Sequence, residues 1–131
     1  MGTCDRGEHN HYRSIRTNTK RIQNEFPLRE GYFGTPGQSG NSHVRNILTD
    51  EPLKTATSFF QAIADGAHIE KRQLPKGGTL LLAYFSDGGI IGFRNTSSSD
   101  GSPVVEINIL GSKDHGSVKQ QKIHFVKGDT E

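Results

Sequence analysis

Five polar side chains with the chemistry of a phosphate-cleaving site occur in the last third of the chain. They are Arg94, Glu106, Asn108, Lys122 and His124. The segments that carry them alternate between apolar and polar residues, which is typical of β-strands. Because successive strand residues point to opposite faces of a sheet, all five are predicted on the face opposite the large apolar side chains. They form a single polar face if the strands are neighbours, as short connections favour.

That set has the right chemistry for cleaving RNA without a metal. Such cleavage requires a base for the proton of a 2′-hydroxyl, an acid for the leaving oxygen, and fixed cations for the charge on the phosphate. His124 is suited to act as acid or base near neutral pH and Glu106 as a base. Arg94 and Lys122 would form a cationic clamp. We therefore predict these four residues as catalytic; a solvent-facing polar sheet without catalysis is the alternative.

The loop between two of the strands is rich in hydroxyl groups and in backbone N–H groups that can hold phosphate oxygens. Its predicted phosphate-binding residues are Thr96, Ser97, Ser98 and Ser99.

Two other functional classes remain open. Asp100 and Glu106 faintly resemble the acidic pattern of metal-dependent nucleases, but Asn108 stands where that pattern has a lysine. A metal-dependent DNase is therefore one alternative. A non-enzymatic module that binds protein or RNA on its polar sheet face is the other.

The remaining metal-ligating residue types give no further site. His9 and His11 form an H-x-H pair in a polar segment, where we expect exposed side chains. Ordinary surface positions are also expected for His43, His68 and His115. The lone Cys4 excludes an internal disulfide framework and a cysteine zinc site. No metal is predicted.

The elements that would position the polar face are helices followed by strands. Val44, Ile47 and Leu48 recur at helical spacing, and a second helix is predicted from Pro52 to about Gly66, with the stripe Leu53, Ala56, Phe60 and Ile63. Strands are predicted over residues 68–74, 79–85, 90–95, 104–110 and 120–126. Residues 79–85 would place apolar side chains on both faces of their strand, which indicates a buried core strand rather than a ligand pocket. The predicted fold is α+β, with N-terminal helices packed on a twisted antiparallel sheet of four to five strands.

The composition fits one domain preceded by a leader. The 131 residues are 31% hydrophobic and 23% charged, with a net charge of +2. A chain of this length is too short for an enzyme with separate cofactor and substrate domains. Residues 1–40 carry six basic and four acidic side chains, against ten of each in residues 41–131. The polar first part predicts a flexible leader over 1–35 and a folded domain over 36–131. No apolar run approaches a membrane span, and the N-terminus lacks the order of a secretory signal.

Three segments together resemble a known family. They are Gly-Asn-Ser-His-Val at 40–44, Phe-Arg-Asn-Thr-Ser-Ser-Ser-Asp-Gly-Ser-Pro-Val-Val-Glu-Ile-Asn-Ile at 93–109, and Gln-Lys-Ile-His-Phe at 121–125. This order resembles the C-terminal toxin domains of bacterial polymorphic toxins, especially those of contact-dependent growth inhibition systems. Many of these are RNases of the barnase/EndoU/colicin/RelE-like class. The resemblance covers about residues 34–131.

The resemblance implies a biological setting that the residues alone do not. The domain would be the toxic tip of a secreted or cell-surface protein, would act in the cytoplasm of a target bacterium, and would be blocked there by a cognate immunity protein. The substrate would be RNA, most often tRNA, with no metal or other cofactor. Some relatives need translation elongation factor Tu with GTP, and the near-neutral charge of residues 41–131 favours such a protein partner.

Overall fold

The chain folds into a helix-backed sheet with a small hairpin beside it. The computed structural model describes residues 13–37, 40–96 and 101–128. The helices are α1 (Ile15–Ile22) and α2 (Pro52–Ile63). The hairpin consists of β1 (Leu28–Arg29) and β2 (Tyr32–Phe33). The sheet strands are β3 (Thr35–Pro36), β4 (Val44–Thr49), β5 (His68–Gln73), β6 (Thr79–Tyr84), β7 (Ile90–Arg94), β8 (Val104–Asn108) and β9 (Gln121–Lys127).

The predicted α+β class is confirmed, but the predicted strand number is wrong. The main sheet has seven strands in the order β3-β4-β9-β8-β7-β6-β5, rather than four to five. All neighbours pair antiparallel except β4 and β9, which pair parallel. The helices do not precede the sheet as a block, because β3 and β4 lie between α1 and α2.

One prediction that failed concerns residues 44–48, which form strand β4 rather than a helix. Val44, Ile47 and Leu48 suit either period over so short a stretch, and β-branched residues favour a strand. The deciding contact is remote in sequence, since all six residues of β4 pair with the end of the chain from Lys122 to Lys127.

The predicted leader is also wrong over the described part of residues 1–35. Ile15 on α1 and Phe33 on β2 are both 0% exposed and belong to the hydrophobic core. Two buried polar side chains of the main sheet hold the hairpin in place. The Arg45 guanidinium donates to the Phe33 carbonyl at 3.1 Å, and Gln121 accepts from the Phe33 N–H at 2.9 Å. This segment is part of the folded domain because its apolar residues Ile15, Ile22 and Phe33 are buried in the core.

The core lies between the helices and one face of the sheet. The buried residues of α2 are Ala56, Phe59, Phe60 and Ile63; Leu53, which was expected among them, is 52% exposed. Phe59 packs edge-on against Phe33, with ring centroids 5.1 Å apart. Among the described residues, neither helix has the length and apolar content that crossing a membrane requires. Both helices cover the same side of the sheet, so its other side is left to form a cleft.

Candidate functional site

The ladder register places the five predicted polar residues on one face of the sheet. Phe93 and Val105 pair with each other and are buried in the helix-side core, so the residues on either side of them in β7 and β8 face the opposite way. We call that opposite side the cleft face. Across it, Arg94 pairs with Val104, and Glu106 pairs with Lys122 on β9. The predicted sharing of a face is confirmed.

A cleft of about 210 Å³ lies over the middle of the cleft face. Its polar lining is Arg94, Glu106, Asn108 and Lys122, which are four of the five residues that the sequence singled out. Arg94 and Lys122 bring two positive charges and Glu106 one negative charge, so the cleft carries an excess of positive charge suited to a phosphate.

The apolar lining of the cleft was not predicted. Leu80 and Leu82 of β6 and Ile90 of β7 form one wall, and Gly92 and Val104 also line the cleft. Residues 79–85 were expected to be core on both faces, yet Leu80 and Leu82 are only half-buried and face the cleft. No helix packs over Leu80 and Leu82, because both helices pack on the other side of the sheet.

Among the described residues, the charged side chains of the cleft have no bound side-chain partner. Within the described part of the chain, no ion pair or side-chain hydrogen bond engages Arg94, Glu106 or Lys122. Glu106 and Lys122 face each other across β8 and β9 without forming a bridge. Some arginines elsewhere are bound, as Arg13 is to Asp65 at 3.0 Å. Uncommitted charges in a cleft remain available to a ligand.

His124 lies beside the cleft rather than in its lining. It follows Lys122 by two residues on β9 and pairs with Val104, which does line the cleft. The residue is 8% exposed, and its imidazole Nδ1 lies 3.0 Å from the Ser102 hydroxyl. Ser102 was missed as a site residue, although the hydroxyl-rich loop in which it lies was the available signal. This contact fixes the ring orientation, as second groups do for catalytic imidazoles.

The remaining predicted residues do not line the cleft or fall outside the description. Thr96 is exposed just after β7 and is not among the cleft residues. Ser97, Ser98, Ser99 and Asp100 lie outside the described residues, so the predicted phosphate loop and the acidic pair of the DNase alternative stay predictions.

The other histidines are dispersed. His43 is exposed and contacts the Gln120 carbonyl at 3.1 Å, on the side of the hairpin, where its ring lies 6.4 Å from that of Tyr32. His68 is exposed on β5, and His115 contacts the Val118 carbonyl at 3.2 Å. His9 and His11 fall outside the described residues. Within the described ranges, no three His, Cys, Asp or Glu side chains cluster as metal ligands would.

Two carboxyl groups with lowered pKa values stabilise the fold away from the cleft. Burial opposes ionisation of Asp87, but hydrogen bonds from the Gly89 N–H, the Ser112 hydroxyl and the Asp114 N–H outweigh it and hold its pKa below the usual value. Hydrogen bonds from Arg13 and Arg21 lower the pKa of Asp65. Both carboxylates connect segments remote in sequence, which is a structural role.

Comparison with known proteins adds no relative. Neither a protein-family model, nor a curated protein, nor a solved structure matches the chain. The resemblance to toxin domains therefore rests on the residues quoted for it, and the cleft has to be interpreted by its own chemistry.

Proposed function

We propose that the protein is a metal-independent endoribonuclease that cleaves tRNA. The observation that carries this proposal is the cleft, where two uncommitted cations and a carboxylate converge on one face with a histidine beside them. A transferring phosphate gains most from fixed cations placed where its charge develops. RNA carries its own nucleophile in the 2′-hydroxyl, so a base, an acid and a cationic clamp are sufficient.

Each residue has a defined role in this reaction. The Glu106 carboxylate accepts the proton of the 2′-hydroxyl, whose oxygen attacks the adjacent phosphorus. The bond from phosphorus to the 5′-oxygen breaks, and the His124 imidazolium donates a proton to that leaving oxygen. Arg94 and Lys122 hold the non-bridging oxygens while negative charge accumulates on them. The products are a 2′,3′-cyclic phosphate end and a free 5′-hydroxyl end.

The biological setting of the proposal comes from the resemblance to toxin domains. We propose that the chain is an antibacterial toxin domain carried at the tip of a secreted or cell-surface protein, active in the target-cell cytoplasm and neutralised by a cognate immunity protein. Translation elongation factor Tu with GTP is the proposed activator if the domain alone is inactive.

The folded segment of residues 13–37 changes the charge argument for such an activator only in part. Residues 13–37 belong to the folded domain and add five basic and two acidic side chains to the near-neutral remainder. Much of that charge is used internally, since Arg13 and Arg21 both bind Asp65 and Arg16 binds Asp114. Recognition of the phosphate backbone therefore depends chiefly on Arg94 and Lys122.

The test is cleavage of total bacterial tRNA by the purified protein in two arms: the protein alone in the presence of EDTA, and the protein with elongation factor Tu, GTP and the magnesium that GTP binding needs. We expect discrete fragments with 2′,3′-cyclic phosphate ends, abolished by His124→Ala. His43→Ala is the matched control, because it removes an exposed imidazole on the hairpin side of the sheet. It should cleave as the unchanged protein does.

Three results would overturn the proposal. Intact tRNA under both conditions would favour a binding module, and cleavage of DNA that requires a divalent cation would favour the nuclease that uses Asp100 and Glu106. Full cleavage by a folded His124→Ala variant would refute the assignment of His124 as the general acid. Circular dichroism of each variant shows whether it is folded.

A further inference from the structure

Gly92 occupies the centre of the cleft face. It pairs with Glu106 on β8 and with Leu82 on β6, so it stands between the charged half of the cleft and the apolar wall. Because it has no side chain, the cleft has its floor at the backbone there. A side chain at this position would project into the cleft, since residues 90, 92 and 94 face the same way.

Neither the backbone nor the packing requires a glycine at this position. Gly92 is absent from the glycines with a left-handed φ. A Cβ atom built on it would meet Leu82 Cδ2 at 3.5 Å, Leu80 Cδ1 at 3.8 Å and the Leu81 carbonyl at 3.9 Å, which are ordinary van der Waals contacts. Glycine within a strand lowers stability relative to alanine, and it often marks a close approach by another group.

We propose that the flat face of a nucleobase rests on the backbone at Gly92, between Leu82 and Glu106, next to the phosphate that Arg94 and Lys122 hold. This inference rests on the proposed ribonuclease function and adds the subsite for the base. The wall of Leu80, Leu82 and Ile90 suits an apolar ring face. The volume of about 210 Å³ is below the roughly 300–1,000 Å³ of pockets for drug-sized ligands, so it suits one ring system.

The amide of Asn108 borders the same space with a fixed orientation. Its Oδ1 accepts the Leu110 N–H at 3.0 Å, which directs Nδ2 away from that contact as a donor. A nucleobase over Gly92 would thus have apolar contact with its face and polar groups at its edge. An aliphatic ligand would use the wall and leave the polar groups without partners, which is costly.

The test is Gly92→Ala, which fills the floor without disturbing the fold. We expect its melting temperature to rise by about 2–5 °C, while kcat/KM for bacterial tRNA falls at least about tenfold, because a base displaced by even 1 Å misaligns the phosphate. Gly77→Ala is the matched control. Gly77 has φ +94° and nothing within 4 Å of an added Cβ, so this variant should be less stable but fully active.

A binding measurement separates this inference from the proposed function. NMR shifts of the Gly92 amide are recorded on titration with cytidine 3′-monophosphate, guanosine 3′-monophosphate and inorganic phosphate. A base subsite predicts that at least one nucleotide binds about tenfold or more tightly than phosphate, and that Gly92→Ala removes the difference. Equal binding of nucleotides and phosphate, or a fully active Gly92→Ala variant, would overturn the inference even if the protein cleaves RNA. Selective nucleotide binding without cleavage would refute the proposed ribonuclease function and support the base subsite.

Discussion

Lys122→Gln is the substitution that tests the cationic clamp most directly. The side chain lines the cleft and, within the described structure, makes no ion pair or side-chain hydrogen bond. Its replacement therefore removes a charge without breaking an internal contact, and we expect a change in stability of no more than about 0.5 kcal/mol. Glutamine keeps most of the length and the aliphatic stem. Any loss of activity then reports the ammonium group itself.

The expected size of the loss follows from one charge-assisted contact to a phosphate oxygen. Hydrogen bonds to charged groups contribute about 1.5–3 kcal/mol. If the contact forms in the transition state, that range corresponds to a kcat/KM about 10- to 150-fold lower. The salt dependence of tRNA binding should also weaken, with the slope of log K against log salt falling by about 0.7–0.9 for the one lost phosphate contact.

Lys71→Gln provides the matched control. Lys71 is exposed on β5 and pairs with Leu81, which packs on the helix-side core, so it faces the side of the sheet opposite the cleft. The Lys71→Gln variant loses the same single charge, and its kcat/KM should stay within about twofold of that of the unchanged protein. Single-turnover cleavage of labelled tRNA at several salt concentrations measures both quantities. Equal losses in both variants would indicate an effect of net charge alone and refute the clamp, as would a fully active Lys122→Gln variant.

Three further predictions concern the support of the site and of the fold. Ser102→Ala should lower kcat about 2- to 10-fold with KM unchanged, since its hydroxyl contacts the His124 Nδ1 at 3.0 Å and orients the ring; a change confined to KM would contradict this role. Asp87, whose pKa is below its usual 3.8, contributes stability that is present above pH 3.8 and lost as the pH falls through its lowered value; in acid titrations followed by circular dichroism, Asp87→Asn should lack that loss. Asn18 is fully buried and donates to two carbonyls at the end of α2, at 2.7 and 2.9 Å. Asn18→Ala should therefore cost about 1–3 kcal/mol in urea unfolding, whereas the exposed Asn24→Ala should cost under about 0.5 kcal/mol.

The polar lining of the cleft could be predicted from the sequence because it depends on alternation along three strands. Arg94, Glu106 and Lys122 each lie next to large apolar residues, so counting by twos sorts them onto one face without knowledge of the partners. The apolar wall could not be found in this way. Leu80 and Leu82 resemble core residues until the helices are known to cover only the other face.

The missed elements depend on partners remote in sequence. Residues 44–48 are compatible with helix or strand by local pattern, and their pairing with β9 decides between the two. Residues 13–37 have too few apolar side chains to fold alone, yet Ile15 and Phe33 complete a core built by later residues. Composition averaged over a segment cannot show which of its side chains are buried.

The sequence by itself determined the fold class, the alternation of the last three strands, and hence the polar residues that share a face. The tertiary structure decided that β4 and β9 pair parallel, that Ser102 reaches His124, and that the helices leave the Leu80 side of the sheet open as a cleft. The physical reason is the separation along the chain of the residues that decide each feature. The direction of a strand side chain follows from its own backbone dihedral angles, whereas pairing and cover depend on which distant segments bury the most apolar surface together.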